Sequence, residues 1–174
     1  MKKILLVELN SAKKTILSLP LVSTLKDAYP EAELVYLTTQ KFKPALAACD
    51  QVDRAVGLDW ERINQIKQSQ HFWSAFKALT PVLNELRVAK YDLLIDLQNS
   101  PLTNFFAYRV AAEQRLSCSK RLGSFFYNDY IEEDDSRHLV DEYLQFLEMS
   151  GGDANGYSRR ISFTFSDPCR DYVN

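Results

Sequence analysis

Leu93-Leu94-Ile95-Asp96-Leu97-Gln98-Asn99-Ser100-Pro101 is an apolar run that breaks into polar residues and then into a helix start. A short apolar run bounded in this way reads as a strand buried on both faces. Ser100 is a good N-cap, and Pro101 suits the first helical position, where a missing N–H costs nothing. The helix they open carries Leu102, Phe105, Phe106 and Val110. Repeated strand–turn–helix units of this kind predict an α/β domain: a parallel sheet with helices on both faces.

The same unit opens the chain. Ile4-Leu5-Leu6-Val7 is a buried strand, Glu8-Leu9-Asn10-Ser11-Ala12 leads out of it, and Lys13-Lys14 begin a helix with Ser11 as N-cap. A helical pattern then covers 15–28 with Ile16, Leu17, Leu21 and Leu25 on one side. Pro20 inside it either kinks that helix or marks its true first turn. Leu34-Val35-Tyr36-Leu37 is the second strand, 42–48 a short helix and 54–58 the third strand.

From about 71 to 89, Phe72, Phe76, Leu79, Leu83 and Leu86 form one apolar stripe, which core packing explains. Residues 115–118 read as a fifth strand and 120–135 as an irregular stretch holding Phe125-Phe126-Tyr127. A last helix over 136–149 turns Leu139, Tyr143, Phe146 and Leu147 inward and stops at Gly151-Gly152. Ile161-Ser162-Phe163-Thr164-Phe165 alternates before Asp167-Pro168.

With 174 residues, 46% of them apolar and 25% charged, the chain reads as globular and large enough for its own core. A net charge of −2 supplies no reason to expect nucleic acid as a partner, and at most peripheral contact with a membrane. Cys49, Cys118 and Cys169 with His71 and His138 make no metal-binding spacing, so no metal is expected and reduced thiols in the cytoplasm are the simplest reading. The apolar run after Met1-Lys2-Lys3 ends at Glu8, too short for a secretion signal.

Several common α/β activities drop out. Gly57, Gly123, Gly151, Gly152 and Gly156 make neither a dinucleotide fingerprint nor a Walker loop. The second strand ends in Thr38-Thr39, without the acidic residue that would hold a ribose. No G-x-S-x-G elbow is present.

The order of several segments resembles the family 9 glycosyltransferases, the ADP-heptose:lipopolysaccharide heptosyltransferases and their relatives. Ile4-Leu5-Leu6-Val7-Glu8-Leu9-Asn10-Ser11 comes first, then Pro20-Leu21 and Leu25-Lys26-Asp27-Ala28-Tyr29-Pro30. Tyr36-Leu37-Thr38, Phe42, Pro44 and Val52-Asp53-Arg54 follow. The strongest segment is Tyr91-Asp92-Leu93-Leu94-Ile95-Asp96-Leu97-Gln98, ahead of His138-Leu139-Val140-Asp141 with Tyr143 and Leu144. The likeness runs to about residue 150.

That resemblance implies a GT-B fold, two Rossmann-like domains facing each other across a cleft. Residues 1–158 would be the N-terminal, acceptor-side domain, and 159–174 the linker into a donor domain. The implied reaction moves a heptose from a nucleotide diphosphate to a lipopolysaccharide-core sugar, in the cytoplasm or at the inner face of the inner membrane. No bound cofactor is expected; an ADP-heptose-like donor would need the C-terminal half, which is the expected partner beside the anionic glycan acceptor.

The family also implies a base in the first loop, an aspartate that takes the proton of the attacking hydroxyl. Ala12-Lys13-Lys14 stands at the family's Ile-Gly-Asp, so Lys14 occupies the position of that carboxylate. Lys14 could act as a base only with its pKa far below the usual value of about 10.4. Otherwise Lys13 and Lys14 either bind phosphate or carboxylate groups or reach solvent. Asn10, Ser11, Lys13, Gln98, Asn99, Lys120 and Arg121 are the candidate acceptor contacts, Gln98 matching the family's strand-end glutamine. Asp96 and Ser100 serve equally well as hydrogen-bonding and capping residues, and His138 reads as a cap or packing residue. The expected protein is a heptosyltransferase-like half, inactive alone. The alternatives are a non-catalytic glycan- or partner-binding Rossmann-like module, or a flavodoxin-like small-molecule binder.

Overall fold

The apolar runs are strands in the computed structural model, which describes residues 1–9, 11–68, 72–119, 124–131 and 136–152, without the side chains of 64, 66–68 and 72–76. They are β1 (Lys3–Val7), β2 (Glu33–Thr39), β3 (Arg54–Leu58), β4 (Tyr91–Asp96), β5 (Ala112–Ser117) and β6 (Asp129–Tyr130). The helices are α1 (Ala12–Leu17), α2 (Leu19–Ala28), α3 (Lys43–Ala47), α4 (Trp60–Gln68), α5 (Phe72–Arg87), α6 (Pro101–Arg109) and α7 (Leu139–Met149), with a 3₁₀ turn at Ser124–Phe126.

All six strands are parallel, in the order β3-β2-β1-β4-β5-β6. The expected α/β, Rossmann-like arrangement is what the chain forms. Its sheet is covered on both sides, as the two-faced apolar strands require. One face packs Ile4, Leu6, Tyr36, Leu93 and Ile95 against Leu21 and Leu25 of α2 and Phe146 and Leu147 of α7. The other packs Leu5, Val7, Val35 and Leu94 against Leu83 and Leu86 of α5 and Phe106 of α6.

Two aspartates pin the strand ends at the amino edge. Asp92 Oδ2 accepts from the backbone N–H groups of Lys2 and Lys3, the latter at 2.9 Å. Those two bonds hold its carboxyl below the usual carboxylate range. Asp53 Oδ2 accepts from Leu34 N at 2.6 Å and from Lys26 Nζ at 2.7 Å, tying β2 to α2.

Pro20 does not kink a long helix; it sits in the first turn of α2, and the chain makes two helices. Ser18 lies between them and bonds both Thr15 O (2.8 Å) and the Tyr36 hydroxyl (2.7 Å). Residues 60–68, read as no element in the sequence, form α4, capped by Asp59 Oδ1 accepting from Arg62 N at 3.0 Å. The irregular stretch contains the 3₁₀ turn and β6, which pairs with β5 through only Asp129 and Tyr130. α5 runs through Pro81, whose missing N–H leaves the Lys77 carbonyl without its helical donor. Residues 153–174, with the alternating segment and the expected linker, lie outside the described residues.

Candidate functional site at the sheet's switch point

Strand order reverses direction at β1: β2 and β3 lie on one side of it, β4 to β6 on the other. In open parallel sheets a crevice forms at such a switch point, outside the carboxyl ends of the two strands. Here its described walls are Glu8, Leu9, Ser11 and Ala12 after β1, and Leu97 to Ser100 after β4.

The walls are joined. Leu97 N donates to Val7 O at 3.0 Å, and Leu9 N donates to the side-chain Oε1 of Gln98 at 3.1 Å. Gln98 is half-buried, and Leu9 and Leu97 are buried. Gln98 thus spends its carbonyl on the opposite loop.

Ser11 is the expected N-cap, with extended backbone and Oγ accepting from Lys14 N at 3.3 Å. Its own N–H points to Glu8 Oε1 at 3.4 Å, and its carbonyl accepts the Thr15 hydroxyl at 3.0 Å. Lys13 is exposed and Lys14 half-buried, and no acidic residue lies in the first turn of α1. The two lysines therefore stand on the rim of the crevice, at a helix start with no acidic residue in its first turn, on the loop whose carboxylate is Glu8.

Beneath that rim lies a carboxylate that sequence reasoning passed over. Glu8 ends β1 fully buried. Burial above all, with the Glu8 charge adding to it, pushes the phenols of Tyr36 and Tyr143 above their ordinary value. The signal available in the sequence was a charged residue directly after four apolar strand residues.

The second wall rests on Asp96, also fully buried. Its Oδ1 accepts from Gln98 N at 2.9 Å and Asn99 N at 3.0 Å, while Oδ2 lies 2.5 Å from the Tyr127 hydroxyl. That hydroxyl is also 2.8 Å from Asn104 Oδ1. Burial raises the Asp96 carboxyl above the usual range, against the pull of these hydrogen bonds. It is also the main cause of the rise at Tyr127, with the Asp96 charge second. Ser100 caps α6 in a reciprocal box with Thr103: Oγ accepts from Thr103 N at 3.3 Å and Ser100 N donates to Thr103 Oγ1 at 2.8 Å.

Asn99 has a left-handed backbone, φ 48°, which asparagine tolerates better than most residues. Only 5% exposed, it donates its side-chain amide to Ser119 O and so ties the β4 loop to the end of β5. Ser11, Lys13, Lys14 and Gln98 are thus gathered around one crevice, with Asn99 beneath its wall. Asn10, Lys120 and Arg121 lie outside the described residues. His138 caps α7, its Nδ1 accepting from Val140 N at 3.3 Å.

A second concavity, of about 610 Å³, opens on the same edge between the ends of β2 and β3, lined among others by Gln40, Lys41, Phe42, Asp59, Trp60 and Glu61. Among the described residues no cluster of His, Cys, Asp and Glu could hold a metal ion, and no helix is long and apolar enough to cross a membrane.

Neither a family model nor a curated protein sequence matches the chain. Solved structures do. A family 9 glycosyl transferase from Veillonella parvula matches with a TM-score of 0.81 at 23% identity, over 99% of this chain and 48% of its own. The E. coli heptosyltransferase WaaC, solved with ADP-2-deoxy-2-fluoro heptose, matches with 0.77 at 18% identity, over 92% of this chain and 52% of its own. The E. coli ADP-heptose lps heptosyltransferase II matches with 0.68 at 16% identity, over 99% and 49%. The protein has a glycosyltransferase-like fold, the Rossmann-like arrangement found in these heptosyltransferase structures. The chain spans about half the length of each.

Proposed function

We propose that this protein is the acceptor-side half of a heptosyltransferase-like sugar transferase of lipopolysaccharide-core assembly, and that by itself it binds the glycan without transferring sugar to it. The observation that carries this reading is the crevice at β1 and β4, with Lys13 and Lys14 on its rim where the resemblance places Gly-Asp. In sugar transfer the acceptor hydroxyl attacks the anomeric carbon, the nucleotide diphosphate leaves, and the hydroxyl proton passes to a base. An ammonium group has no lone pair to accept that proton. It does attract the phosphate and carboxylate groups of an anionic acceptor. Lys14 in that position also favours the reading as a non-catalytic glycan- or partner-binding module.

The test is a calorimetric titration with a phosphorylated lipopolysaccharide-core oligosaccharide, beside an assay for heptose transfer from ADP-heptose. Binding without turnover is expected. Turnover by the chain alone, or no binding of the oligosaccharide, overturns the reading.

A further inference from the structure

The concavity between β2 and β3 belongs to neither wall of the crevice, yet it opens on the same edge of the sheet. Adjacent strands are about 4.8 Å apart, so its centre lies about two strand spacings, roughly 10 Å, from the gap between β1 and β4. An oligosaccharide of a few rings spans that distance. We propose that this concavity holds an uncharged pyranose ring of the acceptor whose anionic groups meet Lys13 and Lys14, an inference that rests on the glycan-binding reading.

Its chemistry suits a sugar. Phe42 and Trp60, both half-buried, supply aromatic surface for the apolar face of a ring. Gln40, Asp59 and Glu61 supply oxygen acceptors for ring hydroxyls, and Gln40 also an amide donor. The volume falls in the range of ordinary small-molecule sites.

The charge excludes a phosphate. Among the described residues of the lining, Lys41 is the one basic group against Asp59 and Glu61. Asp59 is held in place by its cap on α4, and a phosphoryl group there would face two carboxylates. The anionic groups of the acceptor would therefore lie at the Lys13–Lys14 rim, and a neutral ring in this concavity.

Gly57 supplies an independent sign that the floor is built. It sits inside β3, where glycine weakens a strand and marks a close approach. A Cβ at this position would collide with Gln40 Oε1 and come within 2.9 Å of Lys43 Cδ and 3.2 Å of Gln40 Cα. The absent side chain leaves the Gln40 amide lying against the strand at the edge of the concavity.

Amide and indole N–H resonances would be followed on the 174-residue protein during titration with methyl α-D-glucopyranoside, glucose 6-phosphate and the phosphorylated core oligosaccharide. The neutral glycoside is expected to shift the Trp60 indole signal, and glucose 6-phosphate to shift that signal only at several-fold higher concentration. Trp60→Ala should weaken glycoside binding roughly tenfold, and Gln40→Ala, at an exposed position, roughly fivefold. The Gln40 variant keeps the test sound if Trp60→Ala fails to fold. The inference is overturned if glucose 6-phosphate shifts the Trp60 signal as readily as the neutral glycoside, if the glycoside moves no signal near Trp60, or if Gln40→Ala binds it unchanged. Oligosaccharide binding with Trp60 silent would remove this inference alone; no binding by any of the three probes would remove the glycan-binding reading as well.

Discussion

Leu9 and Gln98, 89 positions apart, are joined by a 3.1 Å hydrogen bond from backbone N–H to side-chain Oε1. The bond spans the gap where the two halves of the sheet diverge, so the loop after β1 and the loop after β4 hold one shape together. Positioning of the Lys13–Lys14 rim relative to the β4 loop depends on it.

Gln98→Ala leaves the Leu9 N–H without its acceptor. A destabilisation of about 1–2 kcal/mol is expected in urea unfolding. Gln98→Glu keeps an oxygen for Leu9 and should recover most of that loss, which separates the brace from mere side-chain volume.

Lys13 and Lys14 should act by charge. Replacing both with Gln is expected to weaken binding of a phosphorylated core oligosaccharide about tenfold at low salt, and by less at high salt, where screening already reduces attraction. Calorimetry at two ionic strengths measures both. An unchanged affinity would remove the pair from the site.

Asp96 should give stability a definite pH slope. Its folded pKa is raised by burial, so the folded state holds the proton more tightly than the unfolded chain. That contribution is fully present below the unfolded value of about 3.9 and is lost as pH rises through the higher folded value. Asp96→Asn, which carries an N–H at all pH values, should flatten this slope as pH rises above about 4 in thermal melts and keep the fold.

Ser100→Ala removes one side of the box with Thr103. Loss of about 1 kcal/mol is expected, and Ser100→Asp should restore most of it, read by chemical denaturation.

The strands were legible because parallel strands buried on both faces are continuous apolar runs, and 54–58 is found at its expected bounds. α4 was not, because its stretch is mostly polar; among its described side chains Ile63 is buried in the core and Trp60 packs against it. β6 is two residues of pairing and leaves no pattern to read. At the site, the loops after Val7 and Asp96 could be named from strand–helix punctuation alone, and Ser11 and Ser100 from capping chemistry. The Leu9–Gln98 bond and the Asp96–Tyr127 contact could not, since each joins residues far apart in sequence through side chains that carry no periodicity. Glu8 was passed over for a related reason: a charged residue after a strand carries no sign of burial, whereas here it is fully buried and its charge acts on Tyr36 and Tyr143.

The clasp of Asp92 on the backbone of Lys2 and Lys3 fixes where residue 1 leaves the molecule. It is at the amino edge of a wholly parallel sheet, the full length of a strand away from the crevice and the concavity. A linker attached ahead of Met1 therefore makes an anchoring point on the far side, and protein tethered to a sensor chip through it would hold both the crevice and the concavity toward the flowing solution.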